Sequence, residues 1–420
     1  MERKRVAVII VSVVLIIASF LFFNAEVLAF SRTLKIGNQG KDVAELQEML
    51  SKLGFYHSKI DGIYGHITQK AVMNFQRSMG LFPDGVFGKN TIAALNSIIY
   101  DASVKRKVMG FAAEDYNGDN RSYYSLLKNS KTLDSVATFS YGLTYSGDLT
   151  GTTPYKTIKT AWEKGVKPLV LIHNFNNNQF DKFTAEAVLK SYAKRKRLIN
   201  NILWIIERDG YAGVNIDIEG ISFKNKWNYI SFLWELRSAL RLKGLELSVS
   251  VPAKTWDDPY NGWSGGYDYK QIGQVADFVV IMAYDEHWSG GNPGPTASIQ
   301  WVKSVINYAV SRIPREKILL GIGAYGYDWS HYKTTNMVPL NQINDLIRIN
   351  NGWLAWHDYF QQPYYIYWKN GKKHQVWFEN EHSVKLKLQL VESYNLGGIA
   401  IWRLGFETTA YWQTIKNTLS

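Results

Sequence analysis

The segment Gly213-Val214-Asn215-Ile216-Asp217-Ile218-Glu219 alternates apolar and polar residues without interruption. On a strand, Asn215, Asp217 and Glu219 share one face, and Val214, Ile216 and Ile218 share the other. The β-branched set needs a packed neighbour, so the polar set points into an interior where it is costly unless it serves a purpose. Residues two apart on a strand lie about 6.6 Å apart at Cα, so Asp217 and Glu219 feel each other's charge. A neighbouring carboxylate and poor solvation raise the pKa of one member, and the two titrate as a unit. The spacing therefore predicts that Glu219 keeps its proton near neutrality and can act as a general acid.

Such a strand needs a scaffold that aims it. From about Lys107 onward, buried-strand runs alternate with helix-length stretches: Val108–Phe111, Val136–Tyr141, Pro168–His173, Gly213–Glu219, Leu245–Pro252, Asp277–Tyr284, Ile318–Gly323 and Gly398–Trp402. Near-continuous β-branched runs of this kind predict a parallel sheet covered on both sides. Eight units in about 300 residues favour a closed (β/α)8 barrel, an α/β fold, over an open doubly wound sheet, and no Gly-x-Gly-x-x-Gly follows the first strand. In a barrel Glu219 stands nearest the C-terminal rim, where barrel enzymes place their chemistry. Between the seventh and eighth strands, about 329–390, the chain is long and mixed. Its Asn370-Gly371 pair is a hairpin signal, and a small α+β insertion is expected there.

Residues 33–97 hold a repeat. Asp61-Gly62-Ile63-Tyr64-Gly65 recurs as Asp84-Gly85-Val86-Phe87-Gly88, Thr68 as Thr91 and Ala71 as Ala94. The expected unit is an Asp-Gly turn, a second glycine with positive φ, and a helix capped by the threonine. Val43, Leu46, Gln47, Leu50 and Leu53 form an earlier amphipathic helix ended by Gly54. Together with Leu34-Lys35-Ile36-Gly37 and Phe75-Gln76, this segment resembles the peptidoglycan-binding domain found on many wall hydrolases. The resemblance implies a small three-helix wall-binding module, joined to the barrel through 98–105.

The amino terminus carries Arg3, Lys4 and Arg5, then 18 uncharged residues from Val6 to Phe23, then Val27-Leu28-Ala29. Residues 1–29 are expected to be a signal peptide or an uncleaved membrane anchor, which places the rest outside the cytoplasm. The formal net charge is +12, which favours polyanions such as an anionic wall. No basic run is interleaved with a nucleic-acid fold, so nucleic acid is not expected. Cysteine is absent, which excludes disulfides and thiolate metal sites. His173 and His287 lack a second clustered histidine, so neither metal nor cofactor is expected. The 15 Trp and 26 Tyr suit a cleft that stacks flat sugar faces.

The strand ending in Glu219 resembles the catalytic signature of glycoside hydrolase family 18. Met282-Ala283-Tyr284-Asp285 and Gly398-Ile399-Ala400-Ile401-Trp402 match further family motifs in order. The resemblance implies a substrate-assisted, retaining mechanism in which the substrate's own N-acetyl oxygen attacks C1. Carried over residue by residue, Glu219 is the acid/base and Asp217 orients the acetamido group. Tyr284 hydrogen-bonds the acetamido oxygen, Asp285 contacts the sugar, and Trp402 floors the reacting subsite. Asn215, Met282 and Tyr325 complete the substrate-binding set. Asp285 to Pro295, Tyr325 to Trp329 and Val376 to Glu379 resemble the spore cortex-lytic N-acetylglucosaminidases. Asn215 and Ala212 stand where many chitinases have Asp, which counts against a proton relay through position 215. The expectation is a β-N-acetylglucosaminidase acting on peptidoglycan, associated with cell wall or spore cortex. A chitinase and a non-catalytic sugar-binding barrel remain the alternatives.

Overall fold

The computed structural model describes residues 32–79, 81–95, 105–331 and 334–419. The apolar segment expected at 1–29 and most of the connection at 98–105 lie outside them. The chain divides into two compact units, Met1–Val104 and Lys105–Ser420.

In the first unit, helices Lys41–Lys52 and His66–Ser78 and helical residues from 89 to 95 surround a core of Leu34, Leu46, Leu50, Tyr64, Phe75 and Phe87. The repeat has a physical cause. A buried glutamine pins each Asp-Gly turn. The Oε1 of Gln47 accepts from the Asp61 and Gly62 amides at 3.1 and 2.9 Å. Its Nε2 donates to Asp61 Oδ1 (2.8 Å), the Ile63 carbonyl (3.1 Å) and Thr68 Oγ1 (3.0 Å). Gln76 repeats the pattern on Gly85, Asp84, Val86 and Thr91. A buried amide in water-free surroundings must satisfy each polar atom, and one glutamine does so for a whole turn. Two expectations change here. The first glycine of each motif, not the second, takes the left-handed backbone, with φ of 70° at Gly62 and 69° at Gly85. Thr68 and Thr91 are buried partners of the glutamines and do not cap their helices; Gly65 occupies the first cap position without a side-chain bond.

The second unit is a closed eight-stranded parallel barrel with surrounding helices. Its strands are β1 (Lys107–Ala112), β2 (Ser135–Leu143), β3 (Lys167–His173), β4 (Gly213–Asp217), β5 (Glu246–Pro252), β6 (Phe278–Met282), β7 (Ile318–Gly323) and β8 (Gly398–Trp402). Each pairs with the next, and β1 pairs with both β2 and β8, which closes the ring. Strand alternation sorts the side chains into two cores. Val214, Ile216 and Ile218 join the large outer core against the helices. Met109, Phe111, Leu169, Leu171, Val280 and Leu319 fill the interior. At the N-terminal end, Lys107 Nζ bonds both Glu246 oxygens at 2.8 and 2.9 Å and lies 4.1 Å from the Phe278 ring centroid. Only glycine fits where β8 starts, because a Cβ at Gly398 would stand 1.9 Å from the Lys107 carbonyl oxygen.

The insertion after β7 is a five-stranded antiparallel sheet with one helix, Leu340–Ile349. Its strands run from Tyr325–His331 to Lys372–Phe378, so it begins and ends earlier than the expected 329–390. The reason lies in helix Glu381–Ser393. An Asn380/Ser383 capping box starts it and Val384, Leu388 and Val391 are buried, which makes it a barrel helix leading into β8. The hairpin at Asn370-Gly371 is present, with φ of 51° and 71° and Lys369 paired to Lys372.

Candidate active site

The C-terminal ends of β3 to β8 meet at the barrel mouth. β4 ends at Asp217, which leaves Glu219 two residues past the strand, on the rim. Asp217 is 4% exposed, and its Oδ1 has no hydrogen-bond partner among the described residues. Burial pushes the Asp217 carboxyl up to about 7. Glu219 rises well above the carboxylate range, first through burial and then through the charges of Asp217 and Asp285. The Tyr284 phenol is also driven up by burial and by the same carboxylates, so it remains a neutral donor.

Asp285 follows β6 with a left-handed backbone, φ 62°, which turns the chain sharply off the strand. Its carboxyl faces the open cleft, yet the protein crowded around it raises its pKa against the pull of two phenols. Those phenols are Tyr325 and Tyr327, both bonded to Asp285 Oδ1, the latter at 3.1 Å. Period two along the insertion's first strand puts both hydroxyls on one face.

A cavity of about 570 Å³ opens beside these groups. Glu219, Met282, Tyr284 and Asp285 line it, together with Pro252, Ala253 and the aromatic side chains of Phe180, Trp263, Trp288 and Trp301. Trp402 ends β8, half-buried, its ring 5.5 Å from Phe111 and 5.7 Å from Phe139. This combination of a neutral carboxylic acid, a second carboxyl, a neutral phenol and aromatic walls can protonate a leaving oxygen and hold a sugar.

Two expected substrate contacts do not reach the cleft. Asn215 is 0% exposed; its Nδ2 donates to Ser248 Oγ at 2.9 Å and its Oδ1 accepts from Ser250 Oγ at 3.1 Å. Both amide ends are spent on β5, so Asn215 ties β4 to β5 beneath the site. Tyr325 is 1% exposed and serves to hold Asp285. His173 is buried and stacked on Phe139 at 4.0 Å, with Nδ1 accepting from the Phe175 amide. Burial lowers its pKa to about 4, so it stays neutral. Sequence reasoning missed Phe180, Trp263, Tyr327 and Asn174. Asn174 follows β3 directly, and a polar residue at a strand's C-terminal end was the available signal.

The model for glycosyl hydrolases family 18 matches residues 99–407. The chain belongs to that family. It is a family 18 glycoside hydrolase, and a peptidoglycan binding domain model matches residues 39–95. Over 315 residues it is 33% identical to the uncharacterized glycosylase YvbX of Bacillus subtilis, covering 74% of this chain and 92% of that one. It is 31% identical over 290 residues to the cortical fragment-lytic enzyme of Bacillus anthracis, 67% of each chain. Among solved structures, a chitinase from Chromobacterium violaceum superposes with a TM-score of 0.70 at 31% identity, covering 75% of this chain and 99% of that one. The family 18 match spans the barrel strands that carry Glu219, Asp217, Tyr284 and Trp402.

Proposed function

We propose that this glycoside hydrolase is a retaining, substrate-assisted β-N-acetylglucosaminidase that cuts peptidoglycan glycan strands, with spore cortex or its fragments as substrate. The observation that carries the reading is the Glu219 carboxyl lining the cleft with Tyr284 and Asp285, next to buried Asp217 with its unpartnered Oδ1; burial and the neighbouring carboxylates raise the pKa of Glu219. Glu219 donates its proton to the glycosidic oxygen as the C1–O bond breaks. The substrate's acetamido oxygen attacks C1 and gives an oxazolinium. Asp217, whose Oδ1 lacks a fixed partner, turns to the acetamido N–H, and Tyr284 donates to the acetamido oxygen. The Glu219 carboxylate then takes a proton from the water that attacks C1; the C1–O bond of the oxazolinium breaks, its electron pair returns to the acetamido oxygen, and configuration is retained.

The wall-binding unit raises the local concentration of glycan by tethering, and the +12 charge favours an anionic wall. Wall or cortex association follows from that unit; export through residues 1–29, with cleavage or membrane attachment, is part of the proposal. No helix among the described residues is long and apolar enough to cross a membrane. Removing residues 33–97 is expected to weaken retention on insoluble sacculi while leaving hydrolysis of soluble oligosaccharides within about twofold. Equal retention with and without the segment would reject tethering.

The likeness to a solved chitinase favours chitin oligomers as a second reading. Mass spectrometry of products from cortex, vegetative peptidoglycan and a chitin oligomer separates the two. Muropeptides ending in reducing N-acetylglucosamine are the expected result, and cleavage of chitin alone would replace this reading with the second.

A further inference from the structure

Asn174 is 1% exposed and stands where β3 leaves the barrel. Its side-chain amide closes on both backbone groups of Glu219. Oδ1 accepts from the Glu219 amide at 2.7 Å, and Nδ2 donates to the Glu219 carbonyl at 2.9 Å. The same Nδ2 donates to the Asp181 carbonyl at 3.1 Å, and the Asn174 carbonyl accepts from the Asp181 amide at 2.8 Å. Asp181 in turn caps helix Lys182–Leu189 through the Phe183 and Thr184 amides. Between Asn174 and Asp181 runs a two-stranded hairpin turned by Asn177 and Asn178, both left-handed at φ 48° and 60°. That hairpin carries Phe180 to the cavity.

Glu219 therefore sits past the end of its strand, without ladder bonds of its own; the Asn174 amide holds its N–H and carbonyl, and the Tyr267 hydroxyl donates to the Ile218 carbonyl of the preceding peptide at 2.8 Å. We propose that Asn174 is a positioning residue that fixes the Glu219 backbone, and with it the direction of the acid's carboxyl, while anchoring the aromatic hairpin beside it. Asn is the one ordinary side chain of this length that can accept from an amide and donate to a carbonyl in the same plane. Aspartate keeps the acceptor and loses the donor; alanine loses both. The inference rests on the assignment of Glu219 as the acid.

The test uses the full chain and the soluble oligosaccharide it cleaves. Asn174→Ala is expected to lower kcat by about 100-fold, the scale of a misplaced catalytic group, with KM changed less than threefold. A Glu219 released toward water loses part of what keeps it protonated, so the alkaline limb of the kcat profile moves to lower pH. Asn174→Asp is expected to lower kcat less and to move that limb to higher pH, because it adds a carboxylate beside the acid. Opposite shifts from two variants are a signature that loosened packing does not produce. The proposal is overturned if either folded variant keeps kcat within threefold with the limb in place, or if kcat and KM change together with no shift; should the alanine variant not fold, the aspartate variant decides by the same criteria. Glu219→Gln in the same assay keeps the two questions apart. Its full turnover would remove the acid assignment, whereas an inactive Glu219→Gln beside a normal Asn174→Ala would remove only the role of Asn174.

Discussion

Glu219→Gln is expected to cut hydrolysis by roughly 10²–10⁴-fold, the usual contribution of a general acid/base, while oligosaccharide binding stays within a few-fold. Gln has the shape of Glu and offers the same cavity wall, but it has no proton to release to a leaving oxygen and no carboxylate to activate water. Stability separates lost chemistry from lost folding. The folded pKa of Glu219 lies above its unfolded value, through burial first and the charges of Asp217 and Asp285 next. The folded state thus holds its proton while the unfolded chain ionises. The associated stability is complete below the ordinary carboxylate pKa and is lost as pH rises toward the folded value. A neutral amide escapes that loss, so at neutral pH the variant should melt no lower than the parent. Product analysis, ligand titration and a melting curve check the three parts. Parent-like hydrolysis by the variant would assign the acid elsewhere.

The barrel was legible because its evidence is periodic. Eight β-branched runs at helix-length intervals leave few alternatives, and strict alternation from Val214 to Glu219 fixed which side chains face inward. The wall-binding unit was legible through its repeat. Its internal logic was less so: Gln47 reaches Asp61 and Gln76 reaches Asp84 across unequal separations, so the shared pin does not follow the repeat's period. The burial of Asn215 and Tyr325 was not legible, because a motif says which residues converge but not which face water. Asn215 lies deeper along the inward face of β4 than Asp217, and β5 offers Ser248 and Ser250 there, so the amide is consumed inside the barrel. Tyr325 shares a face with Tyr327, and both phenols turn to the one carboxyl within reach. Asn174 carries no periodic signal at all. Its role comes from the closeness of β3 and β4, which pair in register from Leu169–Gly213 to His173–Asp217.

Asp217→Asn is expected to lower turnover by roughly 10²–10³-fold, the scale seen when one preorganised electrostatic partner is removed from a site, and to move the alkaline limb of kcat/KM to lower pH. The direction follows from charge. Asp217 is the second cause of the raised Glu219 pKa, after burial. Replacing its carboxyl with an amide removes that repulsion and leaves the burial and the charge of Asp285. Glu219 then gives up its proton at a lower pH, though still above the ordinary carboxylate range, and the enzyme loses its acid form earlier as pH rises. In the parent the limb belongs to the pair, since Asp217 itself is pushed up to about 7; in the variant it belongs to Glu219 alone. The rate loss has a separate origin. An asparagine can still accept from the acetamido N–H, but it brings no negative charge to the cationic oxazolinium. A variant with the limb displaced and the rate preserved would mean that Asp217 only tunes the acid and that the acetamido group is oriented without it. A variant with the rate lost and the limb unmoved would mean that Asp217 acts on the substrate alone and that burial and the Asp285 charge keep Glu219 protonated. Steady-state kinetics across pH, on one soluble substrate and with both proteins, distinguishes these outcomes.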